Sequence, residues 1–188
     1  MRKLLTFFAA CLMSGAAAAT TLGDDGLHKE TWMRDTFKDL REDLAEANAE
    51  GKRLMILIEQ RGCIYCTKMH EEVFPVPEIA SYIEENYFVV QINMFGDIEV
   101  TDFDGTILSE KDMVQHWGVL FTPTLMFYPP EVAEGVGGQA AAAAVMPGAF
   151  GKWTTYNLLR WVHDEGYLGD ESFQKYHARM IEEGGLSE

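Results

Sequence analysis

The apolar positions along this chain alternate between a helical period and short unbroken runs. Residues 31–49 place Met33, Phe37, Leu40, Leu44 and Ala47 at helical spacing, with Arg41, Glu42 and Glu46 on the other side. That pattern predicts one amphipathic helix, ended at Gly51. "RLMILIE" at 53–59 has no helical period and predicts a strand buried on both faces. "TKMHEEVF", just after two cysteines, lacks Gly and Pro and predicts a helix up to Pro75; Pro77 opens another, with Ile79, Tyr82 and Ile83 on one face. "YFVVQIN" at 87–93 is rich in β-branched and aromatic residues and predicts a second strand. Strand, two helices and strand make a crossover unit, so the two strands are expected to be parallel with a right-handed connection.

Further along, Asp104-Gly105 inside "DIEVTDFDGTILSE" signals a hairpin. Ser109 followed by Asp112 starts a helix over 110–117. "FTPTLMFY" at 121–128 predicts a third strand entered through Thr122-Pro123. "EVAEGVGGQAAAAAV" at 131–145 is low in complexity and predicts a mobile loop or distorted hairpin without chemistry of its own. A short fourth strand at 145–147 precedes a helix over 153–165 with Leu158, Leu159 and Val162 inward. A last helix over 171–183 carries Phe173, Tyr176 and Met180 on one side. There is no internal repeat and no linker long enough to divide the chain.

The first residues have a different character. Arg2 and Lys3 precede an apolar run at 4–13 and small residues at 14–19, the order of a secretory signal peptide cleaved near 17–19. A lipoprotein reading with Cys11 as the modified residue fits less well, because "FAAC" is a poor upstream match and the apolar run is short. No later segment reaches the roughly 18 uninterrupted apolar residues of a membrane helix. The expected organisation is a signal peptide at 1–19, an N-terminal extension at 20–30, one domain at 31–183 and a tail at 184–188, exported and not membrane-embedded. The formal charge is −15, with 30 acidic against 15 basic residues, and removal of Arg2 and Lys3 lowers it by two more. So acidic a chain argues against nucleic acid or anionic lipid as partner.

The candidate chemistry is "RGCIYCTKMH" at 61–70. With Cys11 lost in the leader, Cys63 and Cys66 are each other's only intramolecular partners in an oxidising compartment. At the first turn of a helix, backbone N–H groups and the helix dipole stabilise a thiolate, and a nearby Arg61 pushes the same way. Cys63 is then the nucleophile that attacks a disulfide, and Cys66, one turn on, resolves the mixed disulfide. Two other readings stand beside this one. An inert bridge over so short a loop stabilises little. A metal site, such as a copper-delivery module, takes Cys63, Cys66 and His70, with Met69 or Met94 as soft ligands. His28, His116, His163 and His177 are scattered singly, and His70 reads as an ordinary surface or cap histidine. Thr122-Pro123 at the mouth of a strand is expected to be cis, placing a backbone edge beside the cysteines where an extended peptide can pair; the alternative is a plain trans proline at a strand start.

The strand, "GCIYC", helix, strand, then "GVLFTPTLMF" and a terminal helix resemble the thioredoxin family over about 31–165. The closer likeness is to exported thioredoxins of bacterial sulfur-oxidation clusters, the SoxW type. It rests on "EQRGCIYCTKMHEEVFPVPEI", "VVQINMFGDIEVTDFDG", "WGVLFTPTLMFY" and "ESFQKY". The resemblance implies an α/β thioredoxin fold, a central mixed sheet flanked by helices, with an N-terminal helix, an inserted hairpin and an extra C-terminal helix. It also implies a Cys63–Cys66 redox pair, Pro123 as the cis proline, and no cofactor. Tyr65, Thr122 and Pro123 are the candidate client-binding residues. The implied partners are disulfide-containing clients, such as a sulfur-carrying protein, and a membrane electron-transfer protein as donor, all in the periplasm. The chain departs from ordinary thioredoxins in several places. Leu57 stands where they have a buried aspartate, Gln91 where they have a lysine, and Gly62 where they have a tryptophan. Ile64-Tyr65 replaces Gly-Pro. Glu59, four residues before Cys63, is the nearest candidate proton acceptor for Cys66, the other reading being a solvated strand-end residue. The reading is an exported protein-disulfide reductase. A disulfide oxidase or isomerase and the copper module are its alternatives.

Overall fold

The computed structural model describes residues 21–184; the expected signal peptide and all but the first residue of the tail lie outside them. A short N-terminal strap, residues 21–30, comes first, built on the antiparallel pair β1 (Thr21–Leu22) and β2 (His28–Lys29). Then follow β3 (Met33–Arg34), α1 (Leu40–Ala49), β4 (Arg53–Glu59), α2 (Ile64–Lys68), a π-helical turn (Met69–Val73), α3 (Pro77–Asn86) and β5 (Tyr87–Asn93). A hairpin of β6 (Glu99–Thr101) and β7 (Ile107–Ser109) leads to α4 (Glu110–His116) and β8 (Thr124–Phe127). The chain ends with α5 (Gly138–Ala141), β9 (Ala144–Pro147), α6 (Lys152–His163), a 3-10 turn (Gly166–Leu168) and α7 (Phe173–Gly184).

Five strands form one mixed sheet in the order β3-β5-β4-β8-β9. β3, β5 and β4 are parallel, with Arg53 opposite Tyr87 and Glu59 opposite Asn93; β8 runs antiparallel to β4, and β9 antiparallel to β8. Side chains along a strand point alternately to the two faces, so the unbroken apolar runs of β4 and β5 supply two cores at once. Met55, Leu57 and Val89 join Leu125, Phe127, Ile79, Ile83 and Leu159 on one face. Leu54, Ile56, Ile58, Val90 and Ile92 join Leu40, Leu44, Val114 and Met126 on the other. No helix among the described residues is long and apolar enough to cross a membrane.

Both central strands, the parallel pairing, the Asp104-Gly105 hairpin and the helix opened by Ser109 are where the pattern puts them. The helix expected over 31–49 is not. Met33 and Arg34 add a strand to the edge of β5 opposite Val89 and Val90, and Phe37 is 96% exposed. Lys38 then takes a left-handed backbone (φ 58), which breaks any helix running through it. Asp39 caps α1 by accepting from the backbone N–H groups of Arg41 and Glu42 at 3.1 and 3.2 Å. The strand expected over 121–128 is confined to Thr124–Phe127. The helix expected over 153–165 ends at His163, because Glu165 is left-handed (φ 57).

The Ala/Gly-rich segment contains a helical turn, α5, rather than a loose loop or hairpin. Buried Asp102 accepts from Gly138 N at 2.7 Å, which fastens the segment to the inserted hairpin, and also from Trp117 Nε1 at 2.8 Å and Phe103 N at 2.7 Å. A Cβ at Gly138 would lie 2.9 Å from Asp102 Oδ1 and 3.1 Å from the Trp117 indole, so only glycine fits.

Candidate active site

The end of β4 delivers the chain to Gly62, whose left-handed backbone (φ 71) turns it into α2. A glycine is favoured there and the tryptophan of ordinary thioredoxins would be strained. Cys63 is the residue capping α2, and its Sγ accepts from Cys66 N at 3.0 Å. Cys63 and Cys66 are joined in a disulfide. Cys63 keeps 6% of its surface exposed, whereas Cys66 is fully buried. The N–H aimed at Cys63 Sγ is the contact that favours a thiolate once the bond is reduced. Arg61 runs along the strap, where a Cβ at Gly26 would come within 2.9 Å of its Cγ.

The Thr122–Pro123 peptide bond is cis. Thr122 Oγ1 donates to Cys63 Sγ at 3.3 Å, and the Thr122 carbonyl oxygen lies 3.5 Å from the same sulfur. Tyr65 is 59% exposed. Ile64, Leu120 and Phe121, none of them among the site residues expected from the sequence, are likewise exposed on the segments that carry Cys63 and Thr122. Two consecutive apolar residues just before Thr-Pro, outside any strand alternation, were the signal available for Leu120 and Phe121.

Glu59 is fully buried, which overturns its reading as a solvated strand-end residue. Its Oε2 accepts from Gln91 Nε2 at 2.7 Å, and its Oε1 lies 3.0 Å from His70 Nε2. Gln91 is paired opposite Leu57, so the two side chains meet as diagonal neighbours on one face of the sheet. Gln91 also donates to the His28 carbonyl at 2.8 Å and accepts from Lys29 Nζ at 2.7 Å.

His70 is the larger correction. It is fully buried, not on the surface, with Nδ1 2.7 Å from Glu30 Oε1 and Nε2 against Glu59. Burial alone would lower its pKa, but the hydrogen bonds to Glu30 and Glu59 outweigh that and raise it to about 9. The His28 ring stacks on it at 4.5 Å and 12°, and burial together with the His70 charge lowers the His28 pKa. The spacing of His70 from Cys66, one helical turn, was a usable signal for His70. Glu30 and His28 had none, since they reach the site from some 40 residues away.

Nitrogens of His28 and His70 and an oxygen of Glu59 lie within 4.8 Å of one another. Two imidazoles sharing an ion must each point an in-plane lone pair at it, and nearly parallel stacked rings do not. Both His70 nitrogens are already spent on carboxylates, and the two cysteines on each other. The cluster is arranged as an ion-pair network.

A model of the thioredoxin-like domain matches residues 40–144. The thiol:disulfide interchange protein DsbD of Colwellia psychrerythraea is 23% identical over 93 residues, 50% of this chain and 14% of that protein, so the chain spans a small part of its relative's length. Among solved structures, a thioredoxin-fold protein from Helicobacter pylori is similar with TM-score 0.58 and 16% identity, over 87% of this chain and 94% of that one. A thioredoxin from Thermus thermophilus is similar with TM-score 0.52 and 21% identity, over 68% and 86%. The chain has the thioredoxin fold, a central mixed sheet flanked by helices, and it belongs to the thioredoxin-like domain family, with a disulfide-forming Cys63–Cys66 pair at its candidate site.

Proposed function

We propose that this protein is an exported thiol-disulfide oxidoreductase that reduces protein disulfides in the periplasm. The observation that carries the reading is the asymmetry of the pair: Cys63, at the start of α2 beside Thr122, keeps a small exposed edge (6%), while Cys66 is fully buried. In the reduced protein, the Cys63 thiolate attacks a client disulfide. A bond forms from Cys63 Sγ to one client sulfur, and the other client sulfur leaves as a thiolate and takes a proton. Cys66 then loses its proton to the Glu59 carboxylate and attacks Cys63 Sγ. The Cys63–Cys66 bond forms, the mixed disulfide breaks, and two electrons have passed from the protein to the client. Tyr65, Thr122 and Pro123 present the surface that holds the client chain, with an extended peptide pairing along the backbone before β8.

The leader pattern at 1–19 supports export, and the resemblance to SoxW-type proteins supports a sulfur-oxidation component as client. A membrane electron-transfer protein re-reduces the pair. The test is reduction of insulin by dithiothreitol in the presence of the mature chain, alongside Cys66→Ser as a trap. Catalysed insulin precipitation, abolished in Cys63→Ser, with Cys66→Ser held in mixed disulfides to periplasmic proteins, is the expected result. Failure to accelerate insulin reduction, or copper retained by the reduced protein and lost in Cys63→Ser, overturns the reading.

A further inference from the structure

The network around His70 is built partly from the thioredoxin-like domain and partly from the strap that precedes it. Glu59 and Gln91 come from neighbouring strands of the sheet, and His70 from the π-helical turn after α2. Glu30 and His28 come from the strap, upstream of the residues that match the family model. A fully buried imidazole bridges the two carboxylates, 2.7 Å from Glu30 and 3.0 Å from Glu59. Its other neighbours among the described residues are of a different kind: His28 stacks on one side, Phe74 meets its edge at 5.0 Å, and Lys29 is turned to Gln91 and Asp25. Glu71 acts on His28 from the π-helical turn.

We propose that the strap completes the active site: Glu30 fixes His70 as an imidazolium, and His70 holds Glu59 as the charged carboxylate that takes the proton of Cys66. The inference rests on the reading of Cys66 as the resolving thiol and Glu59 as its base. Its physical ground is that a carboxylate in an apolar interior tends to take up a proton unless a cation and hydrogen bonds compensate it. Here Gln91 supplies one neutral hydrogen bond and His70 supplies the cation. Without the cation the buried Glu59 side chain keeps only the Gln91 hydrogen bond and loses the charge partner that offsets its burial. Glu30 acts one residue removed, neutralising the far side of His70 so that the ring keeps its charge while fully buried. His70 and Glu30 are thus positioning residues for the second half of the reaction only. Attack by Cys63, which depends on the N–H of Cys66 and on Thr122, does not draw on them.

The two halves separate in the reaction of the fully reduced protein with 5,5′-dithiobis(2-nitrobenzoate). A first, bimolecular release of thionitrobenzoate reports attack by Cys63, and a second, unimolecular release reports resolution by Cys66. The experiment follows both phases from pH 5 to 9 in the wild type, His70→Gln and Glu30→Gln. The expected result is a second phase slowed at least about tenfold at pH 7 in each variant, with its half-maximal pH moved up by about one unit or more, and a first phase within about twofold of wild type. Second-phase profiles that superimpose on the wild type, or equal slowing of both phases, overturn the proposal. Should His70→Gln fail to fold, Glu30→Gln decides, since its side chain keeps 15% exposure at the surface. A wild type that shows no Cys63-dependent first phase overturns the oxidoreductase reading itself, a distinguishable outcome.

Discussion

His70 is an imidazolium shared by two carboxylates, and that fixes the sign of its contribution to stability. Its pKa rises from an ordinary 6.5 to about 9, because the hydrogen bonds to Glu30 and Glu59 outweigh burial. The stabilisation is therefore complete below pH 6.5 and is lost as pH rises through 9. Urea unfolding at a series of pH values should show stability falling between those limits, and His70→Gln should flatten that part of the curve. At pH 6 the same substitution should cost on the order of 3 kcal/mol, since it leaves two carboxylates together without their cation. Asp43 has the opposite chemistry. Burial raises its pKa to about 7, and the Thr36 hydroxyl at 3.3 Å compensates only partly. A raised carboxyl pKa favours the fold at low pH, and that advantage disappears as pH climbs from about 4 through 7. Asp43→Asn should accordingly stabilise the protein at pH 8, by about 1 kcal/mol in thermal melts. The Cys63–Cys66 pairing and the cis Thr122-Pro123 bond were legible from the sequence, because each lies in a local pattern with its own chemical logic. His28 and Glu30 were not. A side chain that enters a site across some 40 residues leaves no periodic mark.

At the scale of elements, buried Asp102 ties the inserted hairpin to the Ala/Gly-rich segment through Gly138 N and to the end of α4 through Trp117 Nε1. Asp102→Ala should leave Gly138 N and Trp117 Nε1 buried without acceptors and cost about 2–4 kcal/mol, read by denaturation with tryptophan fluorescence. β4 and β5 were legible because helices cover both faces of the sheet there, so apolar residues run without a break. The first helix was misplaced because Met33 has an apolar partner in β5, not in a helix stripe; strand pairing at a sheet edge overrode a helical spacing that Phe37, almost wholly exposed, never served. α5 was illegible for a different reason. Gly137 and Gly138 read as flexibility, yet Gly138 is required by the close approach of Asp102 and Trp117.

For the molecule as a whole, the family-matched residues 40–144 contain the cysteines, Glu59, His70, Gln91 and Pro123, while the strap supplies Glu30 and His28 and α6 closes one core with Leu158, Leu159 and Val162. The Cys63–Cys66 pair and the strap therefore come from separate parts of the chain, joined through the contacts of His70 with Glu30 and Glu59. The direction in which the Cys63–Cys66 pair passes electrons separates a reductase from an oxidase. The most direct measurement is its equilibrium redox potential, from titration of the mature protein in glutathione or dithiothreitol buffers. A reductase fed from a membrane donor should give a value near that of thioredoxin, about −270 mV; a value near about −120 mV would make the protein an oxidant and contradict the account.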